Sequence, residues 1–401
     1  MVGPVLCTGS CVFGSLWRQA VSLARRVDFA ASRVLFPLRV LVDARTPMNL
    51  AVLAPVWGQL LADSRLDVRF TGPDRADIQH AFGTAGLVAR VVSRQAARLQ
   101  RWDLYMNADP WDPATLLRCR KRVNFFHGVA GKYDLECPIG LPFDLHIYDR
   151  IAFPNAGRMQ RYVAAGLARP ERAVLVGFPK LDALVNTRVQ PSDIAATLGL
   201  DPTTPTAIYA PTFSPQSSLQ HHGEAIVRRL LEAGLNAIVK LHDRSLDPDP
   251  RYSGGCDWRA RFATLAENRR FLFADSGDST DYLLASDLMV TDHSTIGFEF
   301  CALDRPLIVF DAPELLVAAR VDAGRVQLLR SAADVIDRIG QLPGAVNRAL
   351  REPVARRAER LAAVNEVFHD PGRASDRALA LCYEMLECPI ATRSALAAVE
   401  G

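Results

Sequence analysis

The chain has 401 residues, 49% hydrophobic and 23% charged, which suits a folded protein with room for two cores of ordinary size. Its 47 basic and 44 acidic residues leave a formal charge of +3, so composition gives no basis for bulk capture of nucleic acid. The eight cysteines (Cys7, Cys11, Cys119, Cys137, Cys256, Cys301, Cys382 and Cys388) form no C-x-x-C pair, which argues against a zinc knuckle or a thioredoxin-like site and for reduced thiols in a cytoplasmic setting.

In chain order, residues 1–17 are uncharged but are interrupted by Gly3, Pro4, Gly9, Ser10 and Gly14, with no basic stretch before them, unlike a secretory signal. No run has the length and apolarity of a membrane-spanning helix. Over 16–34, Leu16, Ala20, Leu23, Val27, Ala30, Ala31 and Val34 recur at helical spacing, with Arg18, Arg25, Arg26 and Arg33 as the cations. This pattern permits a helix lying on a membrane surface; a helix packed on the first domain, or a disordered extension, is the plainer reading. Residues 1–36 are therefore set apart as an N-terminal extension.

From there the pattern alternates between strand and helix. Strand-like runs are LRVLVDA (38–44), LDVRFTG (66–72), LVARVV (87–92), DLYMNA (103–108), RVNFFHG (122–128), LHIY (145–148) and AVLVGFP (173–179), with helical patterns at 48–62 and 155–165 among them. A proline- and turn-rich stretch at 185–205 follows. The alternation then resumes with TAIYAPT (206–212), helix 219–234, NAIVKLH (236–242), helix 257–267, RRFLFAD (269–275), a short helix near 280–285, DLMVTD (287–292), helix 294–302 and PLIVFD (306–311). The remainder reads as helical, at 331–341, 352–366 and 373–386. Two such sets predict an α/β protein with two doubly wound domains, 37–188 and 189–375, followed by a C-terminal helix and tail over 376–401. Ligands of such sheets bind beyond the carboxyl ends of the strands, so the cleft between the domains is the expected site.

Several strand ends carry chemistry. RVNFF runs into His127-Gly128 with Lys132 beyond; glycine lets backbone approach a ligand closely, and an imidazole titrates near neutrality, as a general base must. A histidine that only caps the strand is the simpler alternative. In the second set, TAIY leads to Pro211 and Thr212, NAIV to Lys240 and His242, and DLMVT to Asp292, His293, Ser294 and Thr295 at a predicted helix start. Hydroxyls beside unpaired helix N–H groups suit a phosphate, although helix capping would account for one of them. Lysine is rare here, four against 43 arginines, and three of the four fall in the strings HGVAGK, GFPKLD and VKLH. P-loop and dinucleotide fingerprints are absent, which counts against an ATPase or a dehydrogenase. His80, His146, His221, His222 and His369 follow no pattern.

The strings HGVAGK, GFPKLD, YAPTF, KLH and SDLMVTDHSTIGFEFCALDRPLIVF, in this order over 120–312, resemble the motif series of the CDP-glycerol glycerophosphotransferases, the polymerases and primases of teichoic acid and capsule synthesis. The resemblance implies a GT-B fold, with an acceptor domain followed by a nucleotide-donor domain facing it. It implies His127 as the base, His242 as the histidine on the donor phosphates, and Ser294 and Thr295 as phosphate ligands. Thr212, Lys240, Asp292 and Glu299 would complete the donor site, supported by Gly128, Lys132 and Pro211. The family usually has Tyr at position 293, Ser at 295, Pro at 243 and Asp at 299, so His293 and Asp243 are the chemically distinct departures.

The reaction so implied moves a polyol phosphate, glycerol phosphate first, from a CDP-linked donor to a hydroxyl of a glycopolymer or its lipid-linked precursor, releasing CMP. No Asp-x-Asp metal grip is present, so no obligatory metal or other cofactor is expected, and neither is a nucleic-acid partner. The lipid-linked acceptor, with the amphipathic 16–34 stretch, suggests peripheral contact with the inner face of the cytoplasmic membrane. The same two-domain frame also hosts GT-B sugar transferases and UDP-sugar 2-epimerases, and a non-catalytic nucleotide-binding assembly factor is a third reading.

Overall fold

The computed structural model describes residues 36–109, 116–126, 128, 145–275, 278–319 and 321–390. The N-terminal extension up to residue 35, His127 and Lys132 lie outside the described residues.

Two six-stranded sheets organise the chain. The first holds β1 (Leu38–Asp43), β2 (Leu66–Thr71), β3 (Arg101–Asn107), β4 (Arg118–Phe125), β5 (Arg150–Phe153) and β6 (Ala173–Leu175), in the order β2-β1-β3-β4-β5-β6. The second holds β7 (Thr206–Tyr209), β8 (Asn236–Val239), β9 (Phe271–Phe273), β10 (Leu288–Thr291), β11 (Leu307–Phe310) and β12 (Asp334–Ile336), in the order β12-β11-β10-β7-β8-β9. Every pairing is parallel. Helices cover the faces, which is why β7, β8, β10 and β11 are buried at every residue and read as unbroken apolar runs. This is the two-domain α/β architecture of the GT-B kind.

Three expected elements differ. The 87–92 run is not a strand: Gly86, at φ 68, turns the chain, Val88–Arg90 forms one 3-10 turn, and a single bridge from Phe70 to Val91 touches the sheet edge. Leu87 is buried in the core but Val88 is 66% exposed and Ala89 and Arg90 are exposed as well, so the run does not alternate between two faces as a strand would. LHIY at 145–148 closes into a 3-10 turn, Tyr148 N–H donating to the Leu145 carbonyl at 3.0 Å, and the strand position goes to the next residues, β5. The helix expected over 331–341 is replaced by the edge strand β12 and a 3-10 turn, Ile339–Gln341. The 48–62 helix is present but divided at Leu53 into Pro47–Val52 and Ala54–Leu61.

The largest buried cluster spans both sheets: Val40, Val42, Leu104 and Met106 from the first join Ile208, Met289 and Val309 from the second, together with Leu381, Cys382 and Leu386 of the C-terminal helix Ala374–Leu386. The chain recrosses to the first sheet at the end of helix Arg357–Val367. There Asn155 Nδ2 donates to the Val367 carbonyl at 2.8 Å and His369 N–H to the Pro154 carbonyl at 3.0 Å.

Candidate active site

At the carboxyl ends of the second sheet, β10 and β7 are locked together by an aspartate. Asp292, fully buried, accepts from the Thr212 N–H at 2.9 Å through one oxygen, and from the Ser218 N–H at 3.3 Å and Ser218 Oγ at 3.0 Å through the other. Thr291 Oγ1 donates to the Ala210 carbonyl at 2.6 Å beside it. Asp292 therefore spends its acceptors on the Ala210-Pro211-Thr212 turn and on the start of helix Ser218–Glu232, and fixes their placement. Burial and the Asp292 charge raise the Tyr209 pKa, so the hydroxyl that meets Ser218 Oγ at 2.9 Å stays neutral.

The hydroxyls in this turn are left over. Thr295 occupies the N-cap of helix Ile296–Cys301 in right-handed helical backbone and makes no side-chain capping bond, and neither it nor Ser294 makes a side-chain hydrogen bond among the described residues. Capping, the simpler explanation of these residues, does not use them. The helix has six residues, so its dipole is short and the hydroxyls are the main polar groups on offer. Thr212 Oγ1, on the neighbouring strand end, is buried without a partner among the described residues.

His242 follows β8 and is exposed. Its Nδ1 accepts the Arg244 N–H at 3.1 Å, which puts the neutral ring's proton on Nε2. Its ring lies 4.4 Å from Phe213, and Arg244 covers Phe213 and Tyr252 at 5.3 and 4.9 Å. Lys240 is buried and donates to the Leu241 carbonyl at 2.8 Å; burial lowers its pKa, Asp243 pulls the other way and Lys180 adds to the lowering. Asp243 is raised by burial and lowered by Lys240, and it also senses Asp77 and Arg75 of the first sheet's unit. The strand-end loops of the two sheets thus face each other electrostatically.

GFPKLD, whose lysine was singled out in sequence without a role, turns out to join the parts. Gly177 adopts φ 95, and a Cβ there would meet the His369 carbonyl oxygen at 2.7 Å, so only glycine fits. Lys180, 2% exposed, donates from Nζ to Glu299 Oε2 at 2.7 Å and to Ser279 Oγ at 2.8 Å. Asp182 accepts from the Gly372 and Ser375 N–H groups at 2.8 and 2.6 Å and caps the C-terminal helix. Glu299 is therefore held by Lys180.

On the first sheet, a row of polar side chains crosses four strands at the carboxyl edge: Thr71, Asp43, Asn107 and Asn124 are register neighbours. Asn124 Nδ2 donates to Asn107 Oδ1 at 2.8 Å, Asn107 Nδ2 to Tyr148 Oη at 2.8 Å, and Tyr105 Oη to Asp43 at 2.8 Å. Gly128 is pinned through its carbonyl by Arg158, whose guanidinium lies 4.1 Å over Phe126. Arg158 was not a sequence candidate; it anchors Gly128, just beyond the end of β4. Among the described residues no group of three or more His, Cys, Asp or Glu is placed to hold a metal, and no helix is long and apolar enough to cross a membrane.

Residues 163–316 match the family model of CDP-glycerol:poly(glycerophosphate) glycerophosphotransferase, a span that contains Lys180, Thr212, Lys240, His242, Asp292, Ser294, Thr295 and Glu299. Over that span the chain is similar to the CDP-glycerol glycerophosphotransferases. The fold of the chain is similar to that of the wall teichoic acid polymerase TagF, with a TM-score of 0.64 at 15% identity, covering 87% of this chain and 89% of that one. It is similar as well to the Methanocaldococcus jannaschii UDP-GlcNAc 2-epimerase, with a TM-score of 0.54 at 14% identity over 86% of this chain and all of that one, and to S. aureus MnaA, at 0.55 and 14% over 88% and 98%. No curated protein matches it in sequence.

Proposed function

We propose that this transferase moves glycerol phosphate from CDP-glycerol to a hydroxyl of a cell-surface glycopolymer or its lipid-linked precursor, releasing CMP. The observation that carries the reading is that the family match falls on the second-sheet strand ends where Thr212, Ser294 and Thr295 hold hydroxyls unused by the fold. A TagF structure soaked with CDPG supports the choice of donor. In this reading Ser294, Thr295 and the Nε2–H of His242 donate to the diphosphate, where charge-assisted hydrogen bonds are stronger than neutral ones. The acceptor hydroxyl gives its proton to His127 and its oxygen bonds to the β-phosphorus. The bond from that phosphorus to the bridging oxygen breaks, and CMP leaves with that oxygen. Such transfers need in-line positioning and charge stabilisation, which these donors supply.

The test is a calorimetric donor screen of the full chain against CDP-glycerol, CDP-ribitol, UDP-GlcNAc and a GDP-sugar. CDP-glycerol should bind most tightly, and binding confined to UDP-GlcNAc would replace the reading with the epimerase one. Peripheral membrane contact through residues 16–34 belongs to the same proposal. The full chain should sediment with anionic vesicles less as salt rises, and removal of residues 1–36 should abolish sedimentation while leaving CDP-glycerol binding intact.

A further inference from the structure

His293 follows Asp292 in the turn that carries Ser294 and Thr295, and it is 4% exposed. Its Nε2 lies 3.3 Å from Asp311 Oδ1, at the end of the neighbouring strand β11. The other Asp311 oxygen accepts from Arg330 at 2.6 Å, from helix Ala323–Ser331. A carboxylate paired with a guanidinium on its other oxygen can only accept, so in the neutral ring the proton sits on Nε2 and Nδ1 is a bare lone pair. That Nδ1 is buried and has no hydrogen-bond partner among the described residues. Buried acceptors are rarely left unpaired, and unpaired ones call for a missing partner. Burial lowers the His293 pKa, against the raising pull of Asp311 and Asp292, so the neutral acceptor form is the favoured one.

The company it keeps points to a ligand. Ser294 and Thr295, next in sequence, and Thr212 Oγ1, on the neighbouring strand end, are also unpaired. We infer that His293 is a further donor-binding residue, whose Nδ1 accepts a hydrogen bond from an O–H or N–H of the nucleotide-linked donor, with Asp311 and Arg330 setting its tautomer. The inference rests on the reading of this turn as the CDP-glycerol site. It gives position 293 a specificity role, since a ligand lacking a donor group there leaves the lone pair unmet.

Two isosteric substitutions separate binding from bracing. In His293→Gln the amide reaches the place of Nε2, keeping the Asp311 contact and losing the Nδ1 acceptor. In His293→Asn the amide oxygen can stand where Nδ1 stood while the Asp311 contact is lost. Calorimetry with CDP-glycerol and with CMP should show Gln weakening CDP-glycerol binding on the order of tenfold and Asn by less than about threefold. A loss shared by CMP puts the donating group on the nucleoside, and a loss confined to CDP-glycerol puts it on the polyol; both support the inference. The reverse order, Asn worse than Gln, or no change in either, overturns it. Should a variant fail to fold, the wild-type chain with 15N-labelled histidine decides: the His293 Nδ1 resonance should shift upfield on saturation with CDP-glycerol, and a resonance that stays put overturns the inference. A wild-type chain that binds no CDP-polyol would instead sink the donor reading itself.

Discussion

At the level of single residues, the proposed donor site separates groups offered to a ligand from groups that hold them still. Ser294→Ala with Thr295→Val should weaken CDP-glycerol binding while leaving cytidine binding unchanged, because only the diphosphate loses partners; calorimetry with both ligands checks this. His242→Ala should raise KM and lower kcat together, since Nε2–H would serve ground and transition states alike. His127→Ala should lower kcat on the order of 10²–10⁴-fold with donor affinity kept. It should also remove the fall in rate as pH drops through the imidazole range, and a His127→Gln enzyme that keeps most of its turnover would end that assignment. The strand-end positions of Ser294, Thr295 and His242 were legible in sequence because a strand-turn-helix pattern marks its own ends. Asp292 was legible as important but not in kind, since only the fold reveals that both its oxygens are taken by Thr212 and Ser218.

Lys180 and Glu299 belong to the level of elements, because their 2.7 Å contact joins helix Pro179–Val185 to helix Ile296–Cys301, and no local pattern could announce a pair 119 positions apart. Both are largely buried, so removing one partner strands the other's charge, which typically costs about 3–5 kcal/mol. Lys180→Met should lower stability by about that amount, and adding Glu299→Gln should recover much of it; urea unfolding of both variants gives the comparison. No recovery would mean that the loss comes from Ser279 or from packing. The misread elements share a cause. LVARVV and LHIY have strand-like composition, but each is bent by a local 3-10 turn. β5 and β12, at four and three residues, are too short to show a period.

Across the whole molecule, the two sheets were legible from alternation alone, whereas the return of helix Ala374–Leu386 to the first domain was not, since its anchors are scattered along the chain. Asp182 caps its start, and at its other end Tyr383 donates to Asp63 Oδ2 at 2.6 Å. Burial pushes the Asp63 pKa up, but hydrogen bonds from Arg65 and Tyr383 outweigh it and bring the pKa down from 3.8 to about 2. A carboxyl whose folded pKa is depressed stabilises above its unfolded pKa, and that contribution disappears as pH falls through the folded one. The Asp63 contribution, about 2 kcal/mol at neutral pH, should therefore fade between about pH 4 and pH 2. Tyr383→Phe removes one of the bonds responsible and should cost about 1.5–3 kcal/mol at pH 7. Since Asp63 in the variant takes up its proton at higher pH, the difference from wild type should shrink as pH is lowered through 4. Urea midpoints of both proteins at pH 7, 5, 4 and 3 measure this. A difference that stays constant over that range would mean that the tyrosine hydroxyl matters for packing, and that the carboxylate of Asp63 is not what fastens the last helix to the first domain.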